Sequence, residues 1–99
     1  MPITDIGWAI RSMKDYGQKV RRRGWRDKDM YLWFKPPAKI LSEWCKDPKL
    51  KRLAENNGGS IDALGTVCMY LLVDGMPTIL TGWLPTLCDL LADDWEEVE

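Results

Sequence analysis

Two short segments of the chain are apolar at odd and even positions alike, and they constrain the fold more than any other feature. They are MYLWFK at residues 30–35 and TVCMYLLV at residues 66–73. A strand of this composition is covered on both of its faces. We therefore predict a sheet that packs on the domain's own helix with one face and on a second subunit with the other.

An amphipathic helix is predicted over residues 5–16. Its apolar side chains recur at the i, i+3, i+4, i+7 spacing, at Ile6, Ala9, Ile10 and Met13. Polar capping residues precede this segment and a glycine follows it, which favours a helix of this length. This helix is the predicted cover for the first face of the sheet.

Three further strands are indicated by their turn signals. The basic segment QKVRRRGW predicts a strand with a turn at Gly24, and we place it at an edge of the sheet, where charge prevents aggregation. Asp74-Gly75 predicts a two-residue hairpin turn after residues 66–73. The segment DWEEV predicts a last strand, which we place inside the sheet.

The segment before that last strand predicts a short helix. Thr86 and Asp89 have the spacing of a capping box, and the helix would run through Ala92. We assign Leu90, Leu91 and Trp95 to the core.

Residues 38–60 predict one or two short helices, with Asp47-Pro48 at a helix start. This segment has too few apolar residues for a core of its own. We therefore predict a single domain, residues 1–99, with residues 38–60 as a helical insertion. The fold class is α+β: a small antiparallel sheet with one N-terminal helix packed on it and a short helical insert.

Composition excludes several functions. The chain has no histidine, and Cys45, Cys68 and Cys88 form no CxxC pair, so we expect no metal, no disulfide framework and no histidine-based catalysis. We expect the cysteines to be small core fillers. A net charge of −1 argues against general binding to DNA or membranes. The first residues lack an apolar signal core, so we expect a cytoplasmic protein.

Two stretches of the chain resemble the Thoeris anti-defense 2-like family. They are GWAIRSMKDYGQKVRRRGWRDKDMYLWF and DGMPTILTGWLPTLCDLLADDWEEV. The positions that match the family pattern are Gly7, Lys19, Val20, Arg22, Gly24, Trp25, Met30, Asp74, Gly75, Trp83, Asp89, Leu91, Ala92, Asp94 and Trp95. The resemblance covers both ends of the chain and omits the insert.

The resemblance implies a phage or prophage protein that is not an enzyme and needs no cofactor. Members of this family assemble as homotetramers and sequester bacterial immune signals, namely glycocyclic ADP-ribose and, in some members, cyclic dinucleotides. The signal is held intact between subunits. The partner expected here is therefore a signalling nucleotide.

A nucleotide site needs a flat wall, positive charge and hydrogen-bond acceptors. Trp25 would stack on a base, Arg22 or Arg26 would pair with a phosphate, and Trp83 would form a second wall. Thr86 and Asp89 would accept ribose or base hydrogen bonds. Trp8 completes the predicted set, at a position where the family commonly has an acidic residue.

Structural interpretations of the same residues stay open. Trp25 would also fit the core, and Thr86 with Asp89 would also fit a simple helix cap. Arg26 stands where the family usually has asparagine, which favours a more phosphorylated signal such as a cyclic dinucleotide. Two other functions remain as alternatives: an oligomeric phage accessory protein that acts by protein–protein interaction, and a nucleotide hydrolase.

Overall fold

The computed structural model describes residues 4–99, and its element order confirms the predicted α+β class. The helices are α1 (Ile6–Tyr16), α2 (Pro48–Asn56) and α3 (Leu87–Leu91), with one 3-10 turn at Ser42–Trp44. The strands are β1 (Lys19–Arg22), β2 (Tyr31–Lys35), β3 (Ala38–Leu41), β4 (Ser60–Ala63), β5 (Thr66–Val73), β6 (Met76–Thr81) and β7 (Trp95–Val98).

Helix α1 begins and ends at the residues that the sequence indicates. The Asp5 side chain accepts a hydrogen bond from the Trp8 N–H at 2.8 Å, which satisfies an amide that has no partner within the helix. Gly17 ends the helix with a φ of 66°, a left-handed conformation that glycine adopts without strain. The caps therefore set the ends of the helix locally, while Ala9 and Met13 pack it against the sheet.

The five-stranded sheet has the order β6-β5-β2-β1-β7, and all its named pairs are antiparallel. This order corrects two of our expectations. The basic strand β1 is an inner strand, and β7 is an edge strand. The reason is that β7 pairs with β1 along its whole length, so that Arg21 lies opposite Glu96 and its charge is neutralised across the ladder.

The core lies between α1 and the sheet. Its buried members are Ala9, Met13, Val20, Leu32, Met69 and Trp95. Trp95 is thus in the core as predicted, but the assignment of Leu90 and Leu91 to the core was wrong. These two side chains are 46% and 76% exposed, because the face of the short helix α3 that turns inward is occupied by Asp89.

The opposite face of the sheet carries aromatic side chains. Tyr31 and Tyr70 lie across the β2–β5 ladder and stack with ring centroids 5.2 Å apart. The Lys19 ammonium lies 5.3 Å from the Tyr31 ring centroid, a cation–π contact. This face is aromatic along β2 and β5 and charged along β1, where Lys19 lies, and the second subunit on it stays a prediction.

Residues 36–65 form a compact unit of their own. Strands β3 and β4 pair antiparallel with Ile40 opposite Ile61, and α2 begins at Pro48 with Asp47 as its cap. The prediction of a purely helical insertion at 38–60 was therefore incomplete. The 3-10 turn and α2 lie between the two missed strands, and a turn with positive φ at Gly58 and Gly59 leads from α2 into β4. Ala54 is the buried hydrophobic residue of this unit, in keeping with its few apolar residues.

The cysteines occupy three different environments. Cys68 is buried as a core filler should be, whereas Cys45 is half-buried and Cys88 is exposed. The core-filler prediction was therefore wrong for Cys88, which follows from the outward position of α3 side chains. Within residues 4–99, no helix is long and apolar enough to cross a membrane.

Candidate functional site

Arg22, the last residue of β1, forms ion pairs with two aspartates from the C-terminal part of the chain. Its Nε donates to Asp94 Oδ1 at 2.9 Å, and its Nη1 donates to Asp89 Oδ1 at 3.0 Å. The side chains of Arg22, Asp89 and Asp94 are 20%, 8% and 26% exposed, so the pair with Asp89 is the more shielded of the two. Arg22 therefore joins β1 to α3 and to the start of β7.

Asp89 is the centre of the predicted capping box. Its carboxylate accepts a hydrogen bond from the Thr86 N–H at 2.9 Å, and its own N–H donates to Thr86 Oγ1 at 3.2 Å. The same carboxylate accepts the Trp25 indole N–H at 3.4 Å. One buried side chain thus caps α3, neutralises Arg22 and orients an indole ring.

Asp94 fixes the turn that follows β1. Its Oδ2 accepts the Gly24 N–H at 2.8 Å. A Cβ atom at this glycine would lie 2.9 Å from that same oxygen, which is closer than real Cβ contacts allow. Glycine is therefore needed at this position so that the backbone can approach the carboxylate.

Three tryptophans meet edge to face beside this network. The ring centroid of Trp25 lies 5.5 Å from that of Trp95 and 6.4 Å from that of Trp83, with interplanar angles of 77° and 67°. Trp83 and Trp95 are 6.2 Å apart at 84°. Edge-to-face contacts of this kind stabilise aromatic clusters beyond simple burial. Trp25 is half-buried in this triad, so it packs within its own chain.

The two carboxylates are held in their charged form. Burial alone would raise the pKa of Asp89, but hydrogen bonds from the Thr86 backbone and Arg22 outweigh it, and the pKa lies below the ordinary 3.8. Burial would also raise the pKa of Asp94, but the hydrogen bonds from Arg22 and Gly24 outweigh it, so this pKa is lowered as well. Both acids are therefore ionised throughout the neutral range.

We expect stability to fall in acid. A carboxylate whose pKa is lowered on folding stabilises the protein above the unfolded-state pKa, so the contribution is complete at neutral pH. It is lost as the pH falls below the ordinary value of 3.8 and on through the lowered folded values. Urea denaturation at a series of pH values measures this. Asp94→Asn should show a shallower loss, and an equal slope in both proteins would contradict the assignment.

A separate open cleft lies at the start of α1. Its volume is about 400 Å³. The residues that line it are Thr4, Trp8, Arg23, Asp93, Trp95, Glu96 and Glu97. The cleft therefore places two indoles, a guanidinium and several carboxylates around one volume, and Trp8 is the more exposed of the two indoles.

Backbone contacts fix two walls of this cleft. Trp8 is held in the first turn of α1 by the Asp5 cap, and Arg23 is held in the turn after β1 because its N–H donates to Asp94 O at 3.0 Å. The Arg23 carbonyl accepts a hydrogen bond from Lys28. The Arg23 side chain is exposed, and none of the ion pairs among residues 4–99 includes it. This guanidinium is the cation that the cleft offers to a ligand.

The structure divides the predicted site residues into separate groups. One group forms the internal network and comprises Arg22, Trp25, Trp83, Thr86 and Asp89. Trp8 lies in the cleft instead. Arg26 is exposed, and no hydrogen bond or ion pair of its side chain is present in the described part of the chain.

Sequence reasoning missed the polar residues of the cleft. Arg23 was recognised only as part of the basic run around Trp25, and the carboxylates of Asp93, Glu96 and Glu97 were not predicted as site residues. The basic run at the end of β1 was the available signal, but it does not tell which arginine stays free. That choice depends on the pairing of β1 with β7.

Fold and site together define a small α+β domain whose C-terminal helix and strand are tied to the first strand by an arginine between two aspartates. The family model of the Thoeris anti-defense 2-like domain matches residues 4–98, and the chain belongs to this family. The membership confirms the resemblance and associates the chain with anti-defense against Thoeris, but the matched span includes the insert, which the resemblance was expected to omit. Comparison with curated proteins gives no match. In the described residues no group of three or more His, Cys, Asp or Glu side chains is arranged to hold a metal ion.

Proposed function

We propose that this protein is a non-catalytic phage or prophage anti-defense protein that binds and sequesters a bacterial immune signalling nucleotide. The ligand is glycocyclic ADP-ribose, a cyclic dinucleotide or both, held intact between subunits of a homotetramer in the host cytoplasm. Family membership supports the anti-defense role. The cleft at Trp8 and Arg23 supports the choice of a nucleotide.

The chemistry of the cleft suits the parts of a nucleotide. The Trp8 indole offers a surface on which a base can stack, and the Arg23 guanidinium suits a phosphate. Carboxylates accept hydrogen bonds from ribose hydroxyls and from exocyclic amino groups. A volume of about 400 Å³ falls within the usual range for small-molecule sites. The combination of one wall, one cation and several acceptors is the observation that carries the proposal.

The charge of the cleft favours a site shared between subunits. Arg23 is the only cation that lines it in the described structure, against the carboxylates of Asp93, Glu96 and Glu97. A ligand with two phosphates needs more positive charge than this. The exposed Arg26 of a second copy is a suitable source, so Arg26 keeps its proposed role as a phosphate partner.

The contacts of Arg22 and Trp25 bear on the ligand-binding roles predicted for them. Two donor groups of Arg22 are already bonded to carboxylates, so its contacts do not support a role as a phosphate partner. Stacking of a base on Trp25 stays a prediction, since its ring contacts two indoles of the same chain. We therefore propose Trp8 as the first wall and keep Trp25 as the rival.

A panel of signalling nucleotides tested by thermal shift identifies the ligand, because a ligand that binds the native state raises the melting temperature. The complex is then heated, and the released nucleotide is compared with the input by mass. Recovery of the intact molecule supports sequestration. A chemically changed molecule would instead establish a hydrolase.

We expect Trp8→Ala and Arg23→Ala to weaken binding about ten- to a hundredfold each, or about 1–3 kcal/mol. Isothermal calorimetry measures this, and the Arg23 variant should also flatten the salt dependence of affinity. Tyr16→Ala is the matched control, because Tyr16 is 75% exposed at the other end of the same helix.

Stacking of the base on Trp25 instead of Trp8 predicts the opposite result. If Trp25→Ala folds and loses binding while Trp8→Ala binds like the parent protein, the base stacks on Trp25 and the Trp8 assignment is wrong. A Tyr16→Ala variant as weak as Trp8→Ala would show that the loss is not specific to the cleft.

One observation favours the alternative of a protein-interaction subunit. Leu84, Leu87 and Leu91, in and beside α3, are 83%, 69% and 76% exposed. Exposed apolar patches commonly mark protein-binding surfaces. If no nucleotide in the panel shifts the melting temperature, this surface becomes the leading candidate, and capture of host proteins by parent protein but not by Leu87→Lys would support it.

A further inference from the structure

Strand β6 is an edge strand with little protection against pairing. It lies at one end of the sheet, and Met76, Ile79 and Leu80 are 66%, 61% and 46% exposed. Residues 75–88 contain no charged side chain. Natural edge strands are commonly blocked by lysine, proline or bulges, and β6 carries Pro77 alone.

The hairpin geometry determines which backbone groups of β6 point outward. Asp74 and Gly75 have φ values of 51° and 77°, as a two-residue type I′ turn requires, so Val73 and Met76 exchange hydrogen bonds. Inward and outward residues then alternate along the strand. The hydrogen bond from Gly82 N to Val67 O, at 3.0 Å, fits the same alternation. The outward groups within β6 belong to Pro77, Ile79 and Thr81.

These outward groups are self-complementary about Ile79. If two copies run antiparallel with Ile79 opposite Ile79, the two isoleucines exchange a pair of hydrogen bonds. Thr81 then lies opposite Pro77 of the other copy, and its N–H meets a carbonyl there. Pro77 has no N–H to donate, but its carbonyl still accepts the Thr81 N–H at both ends of the paired segment. About four hydrogen bonds form, and a register centred on Pro77 would lose the central pair.

We propose that two copies of the chain pair antiparallel along β6 about a two-fold axis at Ile79, which joins their sheets into one continuous sheet. Tyr70 lies opposite Ile79 across the β5–β6 ladder, so each Ile79 brings an aromatic neighbour to the seam. No like charges oppose each other there. The inference rests on the homo-oligomer of the proposed function and specifies its surface, but it does not depend on the nucleotide.

Site-specific cross-linking tests the register. In a background with Cys45→Ser and Cys88→Ser, Ile79→Cys should be joined to its own copy by a short bismaleimide, since paired Cα atoms are about 5.5 Å apart. Met76→Cys is the matched control on the same strand, with similar exposure. In this register it lies roughly 20 Å from its own copy and should stay uncoupled.

Light scattering tests the assembly. Ile79→Lys should halve the mass measured at micromolar concentration, while Ile79→Val should keep the parent mass, with melting temperatures confirming that both fold. An unlinked Ile79→Cys, equal linking at position 76, or an unchanged mass for Ile79→Lys would overturn the proposal. These measurements are made without nucleotide, so failure of nucleotide binding leaves their outcome unaffected.

Discussion

Trp95→Ala should lower the free energy of unfolding by about 3–5 kcal/mol, the cost of emptying the space of a large buried side chain. Trp95 is 1% exposed and contacts both other indoles of the triad. Its indole N–H also donates to the Asp89 carbonyl at 3.4 Å. Since small domains are stable by about 5–15 kcal/mol, this change removes much of the total, and urea denaturation measures it.

Trp95→Phe is the control for this prediction. It keeps an aromatic ring in the core and loses part of the volume and the indole hydrogen bond, so its cost should be clearly smaller. A Trp95→Ala protein as stable as the parent would show that the indole triad does not anchor the end of the sheet.

Asp89→Ala should cost about 3 kcal/mol or more at neutral pH. The change leaves Arg22 with one of its two carboxylates and deprives the Thr86 N–H and the Trp25 indole of their acceptor. Breaking one side of a shielded ion pair is expensive because the remaining charge stays uncompensated. Thermal and urea unfolding both report the loss.

A double-mutant cycle separates the ion pair from the cap. Arg22→Met together with Asp89→Ala should cost less than the sum of the two single variants, because the second change removes the stranded charge. Strictly additive costs would mean that the Arg22–Asp89 pair contributes no coupling. Thr86→Ala provides a measure of the cap alone, expected at about 1 kcal/mol.

Local signals predicted most of the elements of this fold. The Asp5 and Gly17 caps, the Asp74-Gly75 turn and the box at Thr86 and Asp89 each act within a few residues, so the sequence carries them directly. Strand order depends on contacts between distant residues. A basic run is consistent with an edge, but here Arg21 meets Glu96 on β7, so β1 is an inner strand.

The candidate site was predictable only in part, for the same reason. The segment with Arg22, Arg23 and Arg26 was recognised as a concentration of charge, but which arginine is neutralised depends on β7. The register places Arg22 beside two aspartates and leaves Arg23 at the rim of the cleft. The residue type alone cannot distinguish Arg22 from Arg23, because the two arginines differ only in the side chains that the fold places beside them.

The β2–β5 ladder ends with Lys35 opposite Thr66. The chain leaves the sheet after Lys35, forms the unit of residues 36–65, and returns to the sheet at Thr66. A tight turn between the same two residues would give a plain hairpin with the strand order unaltered. Residues 36–65 are therefore an insertion between two paired strands, and they do not alter the strand order of the sheet. The five strands of the sheet, the arginine network and the residues that line the cleft all lie outside residues 36–65, so none of them takes a side chain from the intervening unit.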